Sequence, residues 1–426
     1  LRDLAIAADN RVPLVRDGTH TAVIVAARAH VSDVEVVQLA CVALWNMALA
    51  ADNHVPLFRD GGHTAVIAAV WAHADDVEVA RAACDALQCL AYADGFQVPL
   101  VRDGAHTAVM AAARAHSSDL KVARAACSTL RNLSIAAVNK VPLVRDGAHT
   151  AVMAAARAHT GDVEVVWWAC GALQNLAGAA DNSVSLMRDG AHTAAMAAAR
   201  THSDDVEVVR YACAVLRNLS FGADNRVPLV RDGAHTAVMA AAQAHSSDVE
   251  VVQSACVALW NLACVDNIKE SLDVKGALFT VVEAWRLHPR SAEVVGAVYG
   301  TLIHLEVADA DSLMHKSIMT AARAYSSFGG MARTACATLA KLTDKADNKV
   351  PLVSDGVHTM VMAAARAHSG DVEVVRAACA TLANLSHAVD CRGDLARDGV
   401  SEFVAFVLGI HPDDAKVQEF CRGVVL

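Results

Sequence analysis

The sequence predicts an all-α solenoid of about ten three-helix units. Three observations carry that expectation. First, the phrase VPLVRDGAHTAVMAAARAH runs from Val98 to His116 and recurs letter for letter from Val141 to His159, with a near copy from Val227 to His245. Second, the glycine of its Arg-Asp-Gly turn keeps a fixed register. Gly18, Gly61, Gly104, Gly147, Gly190, Gly233 and Gly276 are spaced by 43 residues, and Gly356 and Gly399 resume that interval after a gap of 80. Third, apolar residues recur at steps of three and four, as in Ala123, Ala126, Cys127, Leu130 and Leu133. That spacing marks one stripe of a helix, which a single unit cannot bury alone and which stacked copies bury continuously.

Each unit divides into three helices. The first is short, as in Asn139 to Gly147: Asn139 is expected to cap it, Pro142 suits its first turn, and Gly147 ends it in the left-handed conformation. The second, Ala148 to His159, is rich in Ala with Val152 and Met153 as larger contacts. A polar break follows, and its Asp162 is placed to cap the third helix, with Glu164 in the first turn favouring the helix dipole. The face left over on the third helix carries Arg124, Ser128, Arg131 and Asn132 in the corresponding unit.

The organisation follows from this register. Residues 1–7 read as the end of a preceding repeat, 8–267 as six regular 43-residue repeats, and 268–346 as two degenerate repeats with a deletion near 307–312. Residues 347–389 form another regular repeat and 390–426 a final, incomplete one. In the degenerate pair Lys275 replaces Asp and Tyr299 replaces Cys, and a kink is expected near Ala308 to Lys316. Both ends read as cut, as in an internal fragment of a longer protein.

Composition narrows the function classes. Hydrophobic residues make up 55% of 426 residues but aromatics only 4%, so the apolar mass is small and helix-favouring. A net charge of −10 disfavours non-specific attraction to nucleic acid. No apolar run approaches the roughly 20 residues that span a bilayer, so direct membrane insertion is not expected. Eight of the twelve cysteines, including Cys41, Cys84, Cys127, Cys170, Cys213 and Cys256, fall on the repeat interval. They read as small buried hydrophobes in a reducing, intracellular compartment, with stacked equivalents too far apart to pair.

The third helices end in a recurring motif: Leu44-Trp45-Asn46-Met47-Ala48, Leu130-Arg131-Asn132-Leu133-Ser134, Leu173-Gln174-Asn175-Leu176-Ala177, Leu216-Arg217-Asn218-Leu219-Ser220, Leu259-Trp260-Asn261-Leu262-Ala263 and Leu382-Ala383-Asn384-Leu385-Ser386. With three helices in 43 residues and Asp-Gly at the first turn, the chain resembles the armadillo repeat family over essentially its whole length. The resemblance implies a right-handed superhelical armadillo-repeat solenoid whose third helices line a concave groove, a scaffold for protein–protein interaction that binds extended segments. It also implies that Asn46, Asn132, Asn175, Asn218, Asn261 and Asn384 clasp the partner's backbone. The ladder breaks at Cys89, His304 and Lys341. The positions four residues before each Asn (Val42, Ser128, Gly171, Ala214, Val257, Ala380) lack the Trp of the nuclear-import members, which argues against that adaptor role.

Arginine recurs eight residues before the Asn slot, at Arg81, Arg124, Arg210, Arg333 and Arg376, and Arg131 and Arg217 sit one residue before it. Two readings stand side by side: a groove for acidic or phosphorylated segments, or Arg that only keeps the solenoid soluble. Two histidine series are periodic as well. One follows the Gly turn (His20, His63, His106, His149, His192, His235, His315, His358) and one ends the second helix (His30, His73, His116, His159, His202, His245, His368). Histidines ten residues apart on a helix stand about 15 Å apart, so metal ligation is not expected and capping of helix ends is. Catalysis needs one organised pocket rather than a Cys and His in every unit, so no enzyme, cofactor or metal is expected. The location expected is intracellular and cytoplasmic, with nuclear, cytoskeletal and ciliary settings open. A structural spacer in a large assembly, or beside a catalytic domain outside this stretch, is the alternative.

Overall fold

The computed structural model describes residues 2–264, 274–288, 291–304, 318–319, 323 and 329–426. Residues up to Ala237 cluster as one unit and those from Val238 as another, and each is taken separately.

In the first, helices succeed one another in triplets. One triplet is Lys140–Arg145, Ala148–Ala158 and Val163–Ala177. Gly147 makes the turn at φ 89°, a conformation that costs a residue with a Cβ about 1 kcal/mol or more. Asp162 caps the third helix as expected, accepting from Val165 N at 2.9 Å. Asn139 does not cap the first helix. Its Nδ2 instead donates to Leu133 O at 2.9 Å and to Gln97 O at 3.0 Å, one unit back. The expected cap is therefore a stitch between units, because its buried side chain meets carbonyls before it meets the helix's own N–H groups.

The third helices Val34–Ala48, Val77–Tyr92, Leu120–Leu133, Val163–Ala177 and Val206–Ser220 pack consecutively on one another. Each is buried on more than one stripe: in Leu120–Leu133 even Ser128, Thr129 and Asn132 are inside. Small residues make this possible, since Ala and Cys at the contacts let helices approach closely. A fully buried Leu such as Leu130 or Leu173 contributes roughly 1.5–3 kcal/mol.

Polar ladders bind unit to unit. His20, His63, His106, His149 and His192 are buried, and each Nε2 donates to the Asp of the next unit's turn, at 2.8 Å (Asp60), 3.1 Å (Asp103), 3.1 Å (Asp146), 2.9 Å (Asp189) and 3.0 Å (Asp232). The second series, His73, His116, His159 and His202, donates to carbonyls 42 residues earlier, at 2.7–2.9 Å. The expectation that both series cap their own helix ends is corrected: the close stacking of copies brings neighbours within reach first.

The second unit holds the third helices Val249–Ala263, Ala292–His304, Gly329–Leu342, Val372–Ser386 and Ala415–Gly423. The same devices recur in His358 to Asp398 at 2.7 Å and His411 to Ser369 O at 2.7 Å. Gly276 departs from its register partners, lying inside the helix Val274–Leu287 rather than in a left-handed turn. The final repeat has all three helices, the last shortened to nine residues. The deletion at 307–312 and the kink expected near Ala308 to Lys316 lie outside the described residues.

None of the twelve cysteines is in a disulfide and ten are buried; burial pushes Cys127, Cys170 and Cys213 up to about 12. One expectation fails in detail. Cys379 and Cys421, in successive units, bring their Sγ atoms to 3.8 Å, so stacked thiols do reach contact without bonding.

Candidate functional site

The run of third helices is the surface that the sequence marked. Of the six asparagines, Asn46, Asn132 and Asn261 are buried, while Asn175, Asn218 and Asn384 are half-buried. Asn175 Nδ2 donates to Arg131 O at 3.3 Å and Ser134 Oγ at 3.2 Å, and Asn218 Nδ2 to Gln174 O at 3.1 Å. Asn384 Nδ2 reaches Ala340 O, Thr343 Oγ1 and, at 2.7 Å, Asp344 Oδ1. These amides join the end of one third helix to the next. An open ladder of six exposed amides is not what the structure holds, because the helices approach too closely to leave them free.

The recurring arginines are likewise engaged. Arg124 meets Asp162 at 2.6 Å and Glu164 at 2.8 Å; Arg376 meets Asp414 at 2.6 Å and Glu373 at 2.6 Å; Arg333 meets Asp371 at 2.8 Å. Arg81 pairs with Asp119 and Glu78, and Arg210 with Glu207 at 2.5 Å. Each aspartate partnered 38 residues on is the cap of the next third helix, so one carboxylate serves a helix end and a guanidinium together. The Arg376 guanidinium accordingly holds Asp414 low, at about 2. Of the residues left between a groove role and a solubilising one, Arg81, Arg124 and Arg376 clasp the caps of neighbouring units, and Arg210 pairs with Glu207 on its own helix.

A second pattern was not read from the sequence. The residue before the Asn slot lies across the position four before that slot in the next unit. Gln88 Nε2 donates to Ser128 Oγ at 3.0 Å. Arg131 runs across Gly171, where an added Cβ would sit 3.3 Å from Arg131 Cγ. Trp260 covers Gly300, where a Cβ would fall 2.3 Å from the indole. The missing Trp slots are thus filled sideways by the preceding unit. The signal was present in the pairing of long side chains with glycine 40 residues later, a spacing close to but not equal to the repeat.

Three places on this surface break the period. Trp167 stands where other units hold the clasping Arg; it lies 4.1 Å from Trp168 and 5.9 Å from Tyr211, against Val166, Cys170, Ala198 and Val208. Arg131 lies 5.5 Å above the Trp168 ring, and its Nη2 donates to Tyr211 Oη at 3.3 Å. Burial lowers the neighbouring Arg217, whose Nε donates to Asn218 Oδ1 at 3.3 Å. In the second repeat, half-buried Asp85 is pushed up to about 6 by burial, against the pull of Lys121. No group of three or more His, Cys, Asp or Glu among the described residues could hold a metal, and no single described helix is long and apolar enough to cross a membrane.

Comparison with known proteins places this architecture. A family model described as the LRRK2 ARM repeat matches residues 63–211. A chain in a solved structure from work on a phosphorylation switch controlling the interaction between cadherin and beta-catenin is similar over 99% of this chain and 85% of its own, with a TM-score of 0.76 and 17% identity. A search of curated proteins finds no match. With the family's unit matched across residues 63–211, the same three-helix register on either side and the fold shared over 99% of the chain, the fold is that of an armadillo-repeat solenoid.

Proposed function

We propose that the protein is a non-catalytic interaction scaffold whose third-helix face binds extended segments of partner proteins. The observation that carries this reading is the run of half-exposed, period-breaking side chains on that face: Trp45, Arg131, Trp168, Tyr211 and Arg217. Aromatic and arginine side chains with a buried base and an accessible edge are the residues that anchor partners most often. The similar fold in a structure concerned with cadherin and beta-catenin binding supports the same use. Twelve cysteines outside any disulfide support an intracellular, cytoplasmic setting.

The groove asparagines act here first as stitches, so contact with a partner's backbone falls to Asn175, Asn218 and Asn384, the half-buried ones. The spacer alternative draws on the clasps, which commit most periodic polar groups to neighbouring units. A displayed library of random 12-residue peptides separates the two. The scaffold reading expects enriched peptides that slow amide exchange in the helices Leu120–Leu133, Val163–Ala177 and Val206–Ser220. Protection confined to the second helices, or no enrichment at all, would overturn it in favour of the spacer.

A further inference from the structure

The arginines at the recurrent position eight residues before the Asn slot are matched with carboxylates wherever they pair with the next third-helix cap. Arg131 is different. Among the described residues no carboxylate pairs with it; its two hydrogen bonds, to Asn132 Oδ1 and Tyr211 Oη, are both 3.3 Å and both to neutral acceptors. A guanidinium has five N–H donors, so most of its capacity is unused. Tyr211 Oη accepts from Arg131 and so keeps its own proton to donate. The two groups make a donor pair, half-buried, where a charge-assisted hydrogen bond is stronger than in open water.

The surroundings fix that pair in place. Trp168 underlies the guanidinium at 5.5 Å, and Gly171 leaves the passage along which the Arg131 stem crosses the intervening unit. In the other regular units the slot of Gly171 holds Val42, Asp85, Ser128, Ala214, Val257 or Ala380, and the slot of Tyr211 and Trp168 holds Leu39, Ala82, Ala125, Ser254 or Ala377. The arrangement therefore exists once in the first unit.

We propose that Arg131 and Tyr211, floored by Trp168 and given room by Gly171, seat one side-chain carboxylate of an extended peptide lying along the third helices. This rests on the scaffold reading and names the chemistry it selects. One guanidinium and one hydroxyl match the two oxygens and single charge of Asp or Glu. A phosphate dianion would keep an uncompensated charge on a chain whose net charge is −10.

The same 12-residue library, selected on wild type and on Arg131→Met, tests the seat. On wild type the enriched peptides carry Asp or Glu at one fixed position; on Arg131→Met that preference disappears. Resynthesised with Glu→Gln, the best peptide loses roughly tenfold in affinity for wild type and about nothing for Arg131→Met. Tyr211→Phe, which removes only the hydroxyl, narrows the Glu-over-Gln ratio about threefold. Circular dichroism and melting of both variants verify that they fold. Peptides enriched without an acidic position, or an acidic preference that survives Arg131→Met, would overturn the seat and leave the scaffold standing. No enrichment on wild type would overturn both. A phosphoserine in place of Glu that binds more than tenfold tighter would overturn the carboxylate assignment.

Discussion

Replacing Asn139 separates a stitch from a cap. Asn139 is 3% exposed and its Nδ2 serves two buried carbonyls of the preceding unit, Leu133 O at the end of its third helix and Gln97 O in its first. Truncation to Ala removes two neutral hydrogen bonds worth about 1 kcal/mol each and leaves two buried acceptors short of a donor, for a loss of about 2–4 kcal/mol. Asp is the sharper probe. At a helix N-cap Asp and Asn are nearly equivalent, so a capping role predicts a change near zero. In the stitch, Asn139→Asp turns a carboxylate onto two carbonyl oxygens in a dry site and costs more than Ala does. Repeat arrays do not always unfold in one step, so the measurement is hydrogen exchange at amides 133–144 alongside the urea midpoint. Val138→Ala, at a side chain 67% exposed, is the control and stays within about 0.5 kcal/mol. An Asn139→Asp protein as stable as wild type would refute the stitch.

Gly300→Ala places a methyl group into the Trp260 indole and costs about 1–3 kcal/mol by overpacking, read by thermal melting with a shift in Trp emission; an unchanged melt would refute the sideways packing. Arg124→Ala opens a clasp whose Arg side chain is 41% exposed, so the loss stays below about 1 kcal/mol, and peptide capture is unchanged if that Arg belongs to the solenoid rather than to partners. Burial lowers His63 against the opposing pull of Asp103, so its neutral form is favoured in the folded state. Stability from this group is present above about 6.5, the value in the unfolded chain, and falls as pH drops below it. His63→Gln flattens that part of the urea-midpoint-against-pH curve, and a curve of undiminished slope would assign the acid sensitivity elsewhere.

The fold was legible because the features that build it are local and repeated. Gly147 at its turn and Asp162 at its cap follow from backbone chemistry within a few residues, and copying the unit makes each signal audible many times. The candidate site was legible only in location. That Asn132, Arg131 and Arg124 share a helix face was visible; that Asn132 is 2% exposed, Arg124 bound to Asp162 and Arg131 without a carboxylate partner among the described residues was not. Those outcomes depend on side chains 38 to 80 residues away, and a helical wheel drawn for one unit contains none of them. The histidines show the same limit. Their period was plain, yet each finds its acceptor 40 or 42 residues off, in a neighbour that the sequence presents as a mere duplicate.

This suggests how a copied sequence divides its labour. A side chain present in every unit has an equivalent neighbour on each side, and close stacking lets it satisfy that neighbour before any visitor arrives. The His–Asp, Asn–carbonyl and Arg–Asp ladders all arise so. Selectivity for a partner must then reside where the copy is imperfect, because only there is a donor or a ring left without its repeated counterpart. Arg131, Trp168, Gly171 and Tyr211 meet that condition together, within two successive stackings of one another. If restoring the period at Gly171→Ala and Tyr211→Ala left peptide choice untouched, the imperfect copies would be drift rather than recognition, and the face would bind through its shared stem of amides alone.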